Sequence, residues 1–380
     1  MRLLNLSTVE LDDRHNYYGG AIGNIAYNLL HSLSRRFANL EIHTLTEGVE
    51  LTEPLPTNLN IHIIKRGKVM PFSFNVRRAI NKILNERDFS IIIYLYFYEP
   101  IYVSMLRKIK DYPFVIGMCE LPHPRLKDEV DGILKYPALR SIGKNMMFPF
   151  FIKTLKYCDR LIVVNNGAKK YYNKFIMEEK IRIIPYGVDP DFFKYSQLPT
   201  NTYNILTVSR LIERRGLDYL IEAMPIILKE YPNASLHFVG EGPRKAILQE
   251  KAEKLDVKRN VIFHGRVSPE ELVNLYRSCY VFCHLSFADG WNQPALEAMA
   301  TGRPTICTKA PHNSMVEDGN TGFLIPWGNS DILAEKIIYL FGHYSLAEKM
   351  GMEGRKKVER EYNWDRIAEE YYKVFCEVAR

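Results

Sequence analysis

Short apolar runs of strand length alternate with amphipathic segments of helical period along most of the chain. In the first half these runs lie at residues 3–8, 40–45, 61–64, 91–97, 113–118 and 161–164. Strands that alternate with helices form a parallel sheet, because a helical crossover brings each new strand back in the same direction. Their almost unbroken apolar character suits strands covered on both faces. The pattern therefore predicts an α/β fold with helices on both sides of a parallel sheet.

The length of the chain predicts two such domains. A chain of 380 residues is long for one core and suits two domains of roughly 180 residues each. A proline- and glycine-containing stretch, Ile184–Pro190, precedes a polar, proline-containing stretch typical of a linker. We predict a first domain over residues 1–188, a linker over 189–202, a second domain over 203–361 and an amphipathic C-terminal helix over 362–380.

The net charge of +7 is unevenly distributed. Residues 1–188 carry 27 Lys and Arg against 18 Asp and Glu, a net charge of +9, whereas residues 189–380 carry 24 against 26, a net charge of −2. A basic first half attracts anionic partners: a phosphate-bearing acceptor, an anionic membrane surface or nucleic acid. A solvated basic surface without a partner accounts for the same numbers, so charge alone leaves the choice open.

Two basic stretches in this half contain no acidic residue, Lys65–Lys82 and Lys135–Lys156. Both are interleaved with methionine and phenylalanine, which suits contact with an anionic membrane surface and equally suits a core helix whose lysines reach water. No motif that reads nucleic acid accompanies them, so we expect no nucleic-acid partner.

The sequence also bears on location. No apolar run approaches the ~20 residues needed to span a bilayer. The chain opens on the strand-like Met1–Leu6 without the features of a secretion signal. The six cysteines are scattered inside apolar runs, as in a reduced cytosolic protein. We therefore expect a cytoplasmic protein that is at most peripheral at the inner face of a membrane.

The segment Ser286–Thr305 carries the densest set of candidate ligand-binding residues. It follows the apolar run Tyr280–Leu285 and contains the helix formers Gln293–Ala300, which predicts a strand, a tight loop and a helix. The first N–H groups of a helix have no internal partner and favour an anion. Asp289 and Glu297 would hold hydroxyl groups of a sugar and a ribose beside it. Alternatively, Asp289 only caps the helix and Glu297 is a solvated helix acid.

Two arginines stand at the head of the first helix of the second half. The strand Tyr203–Val208 is followed by Ser-Arg-Leu-Ile-Glu-Arg-Arg-Gly, with Arg210 and Arg215 five residues apart. Two cations in this arrangement neutralise a diphosphate without a metal ion. Arg214 competes with Arg215 for the second position.

These segments resemble, in matching order, the signatures of the family 4 glycosyltransferases. Asp289-Gly-Trp-Asn292 stands where the family has Glu-Gly-Phe-Gly, and Leu-Glu-Ala-Met-Ala around Glu297 matches its acidic helix motif. Arg210 and Arg215 occupy the Arg and Lys positions of Arg-Leu-x-x-x-Lys-Gly. The resemblance covers essentially the whole chain. It implies the GT-B architecture: two Rossmann-like, doubly wound parallel-sheet domains that face a cleft.

The resemblance implies a retaining transfer of a hexose from a UDP- or GDP-linked sugar to a hydroxyl of an acceptor. Arg210 and Arg215 would hold the diphosphate and stabilise the leaving group. Glu297 would hold the ribose, and Asp289 would contact the sugar. Further implied donor-binding residues are the backbone amides near Asn292 and Gln293, and Gly242, Arg266 and Val267 around the nucleotide.

In the first half, Gly19 and Gly20 precede a helix predicted over Ala21–Arg35. Glycine lets a ligand approach the backbone closely because no side chain intervenes. The resemblance implies that this glycine loop faces the donor phosphates and the acceptor. It also implies a histidine beside the reacting sugar, just after the run at residues 113–118, and the nearest candidate is His123.

We therefore expect a nucleotide-sugar donor, a growing or lipid-linked glycan as the acceptor, no cofactor and no metal ion. The acid pair in Asp189-Pro-Asp191 is discounted as a metal site, because its proline stiffens a turn in the connector. Two other classes stay open: a catalytically silent nucleotide-sugar-binding or scaffold protein, and an NAD-type oxidoreductase. The second needs Gly-x-Gly-x-x-Gly followed by an acid about 20 residues later, a pattern that neither glycine site offers in full.

Overall fold

The computed structural model describes residues 1–5, 11–12, 17–46, 49–50, 55–63, 82–86, 88–95, 112–119, 152, 155–200 and 202–379. The chain divides into two compact units. One comprises Met1–Tyr186 together with Trp364–Arg380, and the other comprises Gly187–Asn363. Each unit is built on a parallel sheet, so the α/β class predicted from the alternating pattern is confirmed.

The sheet of the first unit has seven described strands in the order β5-β3-β1-β6-β7-β8-β9, all parallel. These strands are β1 (Arg2–Asn5), β3 (Glu41–Thr46), β5 (Leu59–Ile63), β6 (Ile91–Leu95), β7 (Phe114–Cys119), β8 (Arg160–Val163) and β9 (Ile181–Ile183). A separate short parallel pair consists of β2 (Leu11–Asp12) and β4 (Val49–Glu50). The strand order reverses between β1 and β6.

Two helices of this unit are α1 (Tyr17–Arg36) and α2 (Asn166–Tyr172). Helix α1 begins four residues before the predicted start at Ala21, so Gly19 and Gly20 lie in its first turn and not in a preceding loop. The first turn tolerates glycine readily, because its N–H groups have no intrahelical partner to lose. Helix α2 is capped by Asn165, whose Oδ1 accepts the N–H of Ala168 at 2.9 Å.

The core of the first unit joins the middle of the sheet to α2. Leu4, Ile92, Ile116 and Leu161 from four neighbouring strands are fully buried, and Tyr172 of α2 packs in the same cluster. Each of these strands is apolar on both faces, as expected for a sheet covered on both sides.

Several predictions for the first half lie outside the described residues. They concern His123, Lys135–Phe151 and most of the stretch Lys65–Lys82. The membrane question is addressed only in part: among the helices that the structure describes, none is long and apolar enough to cross a bilayer.

The second unit has six parallel strands in the order β12-β11-β10-β13-β14-β15. They are β10 (Asn204–Val208), β11 (Ser235–Val239), β12 (Val261–Gly265), β13 (Val281–His284), β14 (Thr305–Thr308) and β15 (Gly322–Ile325). The first strand in sequence lies beside the fourth. The strand order therefore reverses between β10 and β13, as in a doubly wound dinucleotide-binding fold.

Helices cover this sheet. They are α3 (Leu217–Glu230), α4 (Lys245–Lys254), α5 (Pro269–Ser278), α6 (Gln293–Ala300), α7 (Ser330–Gly342) and α8 (Tyr344–Lys357). Leu220, Ile221 and Met224 of α3 share one buried core with Leu333 and Ile337 of α7. Helix α6 has the predicted bounds, and every residue in it except Pro294 is buried. Because α6 lies inside the unit, Glu297 is surrounded by protein.

The last helix, α9 (Trp364–Val378), belongs to the first unit. Its buried face carries Ile367, Tyr371 and Phe375. It lies beside the C-terminal end of α1, where the rings of Phe37 and Tyr372 stack with centroids 3.8 Å apart. The first unit is therefore assembled from two separated parts of the chain.

Candidate active site

The candidate site lies at the carboxyl ends of β10 and β13. In open parallel sheets, ligands bind outside the carboxyl ends of the strands at the point where the strand order reverses. Strand β10 leads into the loop that carries Arg210, Arg214 and Arg215, and β13 leads into the loop that carries Asp289. The fold thus brings together the two segments that the sequence analysis had singled out separately.

Glycines hold these loops close together. Gly216 has a φ of +62°, and a Cβ built on it would lie 2.5 Å from the carbonyl oxygen of Leu285. A Cβ on Gly242 would lie 2.4 Å from the carbonyl oxygen of Leu211. Real Cβ atoms do not approach backbone oxygens this closely, so the arginine loop packs against its neighbours only because both positions are glycine.

Asp289 is the centre of a buried polar cluster. Its side chain is only 5% exposed. Oδ2 accepts a hydrogen bond from Nη1 of Arg215 and lies 3.1 Å from Nε2 of His284, and Oδ1 lies 3.5 Å from Nη1 of Arg214. Arg214 and Arg215, which competed for one position in the sequence, therefore both reach the same carboxylate. We call Asp289, Arg214, Arg215 and His284 the Asp289 cluster.

The charges in this cluster are set by burial and by one another. Burial alone would raise the pKa of Asp289, but the Arg215 guanidinium and the hydrogen bond from His284 outweigh it and hold that pKa well below its usual range. Burial lowers the pKa of His284, against the opposing effect of its hydrogen bond to Asp289. Burial likewise lowers the pKa of the nearby His312 to about 4. An ionised carboxylate thus faces neutral imidazoles at neutral pH.

Arg210 is in a different environment. It is exposed just beyond the end of β10, and among the described residues its guanidinium makes no hydrogen bond or ion pair. Arg266 is also exposed and Val267 is half-buried, directly after β12. Of the two cations predicted for the diphosphate site, Arg210 therefore has no partner among the described residues, and Arg215 is already paired with Asp289.

The side chains of Asn292 and Gln293 are engaged within the protein. Asn292 caps α6: its Oδ1 accepts the N–H of Ala295 at 3.2 Å, and its Nδ2 donates to Oδ1 of Asn313 at 2.6 Å. Gln293 Nε2 donates to the carbonyl oxygen of Gly187 at 2.9 Å. The alternative in which Asp289 merely caps this helix is therefore wrong, because Asn292 is the cap.

Glu297 lies inside the unit. Its Oε2 accepts a hydrogen bond from the hydroxyl of Tyr276 at 2.8 Å, while Oε1 is buried without a hydrogen-bond partner among the described residues. Burial raises the pKa of Glu297 to about 8, although the bond from Tyr276 acts in the opposite direction. The alternative of a solvated helix acid is therefore wrong. Its predicted role at a ribose stays a prediction.

The structure adds residues that sequence reasoning missed: His284, His312, Asn313 and Tyr276. His284 had a signal, because it is the next-to-last residue of the predicted strand Tyr280–Leu285; it ends β13 and therefore lies at the ligand-binding edge of the sheet. Asn313 donates to the carbonyl oxygen of Thr308 at 2.8 Å and so fixes the loop after β14 against the cap of α6. His312 and Tyr276 had no local signal, since their partners are distant in sequence.

Two family models match the chain. The model described as Glycosyltransferase Family 4 matches residues 18–192, and the model described as Glycosyl transferases group 1 matches residues 188–357. Together they span both units and include every residue of the Asp289 cluster.

Two curated relatives come from Methanocaldococcus jannaschii, and both are named uncharacterized glycosyltransferases. One is 27% identical over 240 residues, which covers 59% of this chain and 61% of the relative. The other is 24% identical over 368 residues, which covers 94% of this chain and 95% of the relative. The similarity thus spans less than two thirds of the first relative but nearly the whole of the second.

A solved structure, Anabaena HepE in complex with UDP, has the same fold. It superposes with a TM-score of 0.72 at 15% sequence identity, covering 99% of this chain and 100% of that one. Two parallel-sheet domains with this likeness constitute the GT-B fold. The chain belongs to the family 4 glycosyltransferases, a family of enzymes that transfer glycosyl groups.

Proposed function

We propose that this protein is a retaining hexosyltransferase that moves a sugar from a UDP- or GDP-linked donor to a hydroxyl group of a glycan acceptor. The observation that carries the proposal is the Asp289 cluster with Arg210 beside it, at the switch point of the second sheet. Three arginines and one carboxylate at this edge offer both halves of what a nucleotide sugar needs: cations for its diphosphate and an acceptor for its hydroxyls.

The diphosphate would bind between Arg210 and the first turn of α6. Arg210 has no partner among the described residues to give up, and a guanidinium donates two parallel hydrogen bonds to a phosphate. Arg215 is held by Asp289 and His284 through Nη1 and adds its positive charge to the same edge of the sheet. Positive charge there stabilises the nucleoside diphosphate as it leaves with the bonding electrons.

The transferred sugar would lie over Asp289. A carboxylate that stays ionised accepts hydrogen bonds from sugar hydroxyls, and the arginines hold its two oxygens in place before the sugar arrives. This preorganisation matters because a site that is already oriented loses less free energy on binding. Retention would follow the general behaviour of the family.

The ribose would be held by Glu297. Its Oε1 is buried without a hydrogen-bond partner among the described residues, and such an atom is costly unless something supplies a hydrogen bond. A ribose hydroxyl both donates and accepts, so it can supply that bond whether the Glu297 carboxyl is protonated or ionised. The side chain would have to turn from Tyr276 or share its two oxygens between Tyr276 and the ribose.

We propose that no metal ion takes part, because the arginines supply the positive charge that a divalent cation would otherwise bring. We also propose that the acceptor is a growing or lipid-linked glycan bound by the first unit. The net charge of +9 over residues 1–188 supports an anionic acceptor or contact with an anionic membrane surface.

Thermal unfolding in the presence of nucleotides tests the donor site. UDP, GDP, ADP and their hexose conjugates would be added in turn, with and without EDTA. We expect one base to raise the melting temperature, equally with and without the chelator. If none of the nucleotides shifts it, the assignment of Arg210, Arg215 and Glu297 to the donor is wrong.

Turnover distinguishes an enzyme from a silent binder of the same fold. The released nucleoside diphosphate would be measured with the stabilising donor and a panel of glycan acceptors, and NMR of the product would give its anomeric configuration. Binding without release for any acceptor would favour the scaffold alternative. An inverted product would contradict retention but leave the donor site intact.

A further inference from the structure

A cluster of three aromatic rings, two of them exposed, lies beside the Asp289 loop. It consists of Tyr219 in the first turn of α3, Phe287 after β13 and Trp327 after β15. The ring of Trp327 contacts both others: the centroids lie 5.3 Å from Tyr219 and 5.2 Å from Phe287, at interplanar angles of 84° and 75°. We call these three residues the aromatic cluster.

The exposure of this cluster is unusual for its residue types. Trp327 is 48% exposed and Phe287 is 38% exposed, whereas the other two tryptophans of the chain, Trp291 and Trp364, are 8% and 7% exposed. Leaving large rings in water forgoes the free energy that burial would give. Contiguous exposed apolar surface of this kind commonly marks a binding surface.

The aromatic cluster is continuous with the candidate active site. Phe287 precedes Asp289 by two residues, and its N–H donates to the carbonyl oxygen of Arg214 at 3.2 Å. Trp327 follows β15, and the N–H of Lys309, directly after β14, donates to the carbonyl oxygen of Ile325 at 2.9 Å. All of these groups lie at the carboxyl edge of the sheet, where ligands bind.

The backbone holds Trp327 in this place. Gly328, the next residue, has a φ of +79°, and a Cβ built on it would lie 3.4 Å from the hydroxyl oxygen of Tyr219. A side chain at this position would be strained and would crowd Tyr219. The turn that presents Trp327 to solvent therefore depends on glycine.

We propose that the aromatic cluster is a saccharide-binding subsite of the second unit that stacks one pyranose ring of the acceptor glycan, beyond the part of the acceptor that the first unit binds. The C–H groups on one face of a pyranose pack against an aromatic ring, while its hydroxyls point outward to polar neighbours. The Tyr219 hydroxyl lies beside Gly328, and Lys309 is exposed directly after β14, so both offer polar groups at this edge of the sheet. That this ring belongs to the acceptor rests on the proposed function.

The position in the sheet separates this subsite from the nucleobase. Arg266 and Val267, which the family resemblance places around the nucleotide, follow β12 at one end of the strand order, whereas Trp327 follows β15 at the other end. A donor whose diphosphate lies at the switch point would extend its base towards β12 and its sugar towards Asp289. The aromatic cluster then lies on the side of the transferred sugar.

Tryptophan fluorescence tests the subsite directly. Because the other two tryptophans are buried, quenching by acrylamide reports mainly on Trp327. Maltotriose, chitotriose, mannotriose and galactotriose would be titrated to tens of millimolar. We expect at least one of them to lower the quenching constant at least twofold, and UDP to leave it unchanged.

Substitution locates the binding. Affinity for the protecting saccharide would be measured by saturation-transfer NMR on the sugar. We expect Trp327→Ala to weaken it at least tenfold, Trp327→Phe to keep it within threefold, and Tyr339→Ala, which removes a ring of similar exposure on α7, to leave it unchanged. All variants should keep the stabilisation by whichever nucleotide stabilises the wild type, as the proposed function predicts.

The subsite would be overturned if no saccharide protected Trp327, if Trp327→Ala bound the saccharide as tightly as the wild type, or if UDP protected Trp327 instead. These outcomes are independent of the donor site. A wild-type protein that binds saccharide at Trp327 but is not stabilised by any nucleotide would sink the proposed function and leave the subsite standing.

Discussion

The arginine loop after β10 places chemically identical side chains in two opposite settings. Arg215 is largely buried and paired with Asp289, whereas Arg210 is exposed and has no partner within the described chain. A buried charge must be compensated inside the protein, so Arg215 belongs to the stability of the fold whether or not a ligand is present. Arg210 contributes nothing comparable to folding and is free to bind a ligand. The same residue type thus serves both the fold and recognition at position 215, and recognition alone at position 210.

Removal of the Asp289 charge should have the largest effect. Asp289→Asn keeps the size of the side chain but leaves Arg214 and Arg215 buried without their carboxylate, which costs about 3–5 kcal/mol of unfolding free energy. Urea unfolding at neutral pH measures it. The matched control is Asp218→Asn, which breaks a more exposed pair with Arg244 and should cost about 1 kcal/mol. Equal losses would mean that the Asp289 cluster is not a special buried site.

The pH dependence of stability that Glu297 causes should be the second largest effect. Folding raises its pKa from 4.5 to about 8, so between these values the folded state binds one more proton than the unfolded state. This group therefore makes stability fall as pH rises through that window, by about 1.4 kcal/mol per pH unit. Glu297→Gln removes the dependence.

Between pH 5 and pH 8 we expect the free energy of unfolding of Glu297→Gln to rise by a few kcal/mol relative to that of the wild type. The reason is that most of the interval between the two pKa values, 4.5 and about 8, lies between these pH values. Thermal unfolding of both proteins in the same buffers gives the difference, in which the other titrating groups cancel. A difference that stayed constant across this range would show that Glu297 is ionised in the folded protein.

Substitution of Arg210 should weaken nucleotide binding but leave the stability of the fold almost unchanged, the reverse of what is expected for Asp289. Arg210→Gln should weaken binding of the nucleotide that stabilises the wild type by about 10- to 100-fold, because a hydrogen bond to a charged phosphate contributes about 1.5–3 kcal/mol. The free energy of unfolding should change by less than about 0.5 kcal/mol. Isothermal titration and urea unfolding provide the two values. Arg259→Gln, an exposed arginine before β12, is the control and should change neither.

A change in salt concentration should produce the smallest effect, and it should again distinguish the exposed Arg210 from the buried Asp289 cluster. Raising NaCl from about 0.05 to 0.5 M shortens the screening length severalfold, so nucleotide affinity through the exposed Arg210 should fall a few-fold. The destabilisation caused by Asp289→Asn should change by less than about 0.5 kcal/mol, because buried pairs are screened much less. If salt erased that destabilisation, the Asp289 cluster would be open to solvent.

The sequence was sufficient for the elements that have strong local signals. Helix α6 has the predicted bounds because Pro294 favours its first turn and the following residues are strong helix formers. The start of α1 was placed four residues late, because glycine is a weak helix former and its tolerance in a first turn gives no local signal. The parallel sheets followed from the alternation of elements.

The candidate site was predictable only as separate segments. The contact between Arg215 and Asp289 joins residues 74 positions apart, and nothing local to either residue specifies it. The burial of Glu297 did have a signal: Ala-Leu-Glu-Ala-Met-Ala is apolar on all sides except for this acid, as in a helix surrounded by protein. His312 enters the site through the loop after β14, which only the folded sheet brings near Asp289.

The return of α9 to the first unit sets the order in which the protein can be completed during synthesis. A ribosome releases Met1–Tyr186 first, but the helix that covers the end of α1 leaves the tunnel only after all of Gly187–Asn363. The second unit is continuous in sequence, so all of its residues have been made once Asn363 is added. The first unit must wait with part of α1 uncovered, so a chain that stalls after Asn363 would display that apolar surface to chaperones and proteases.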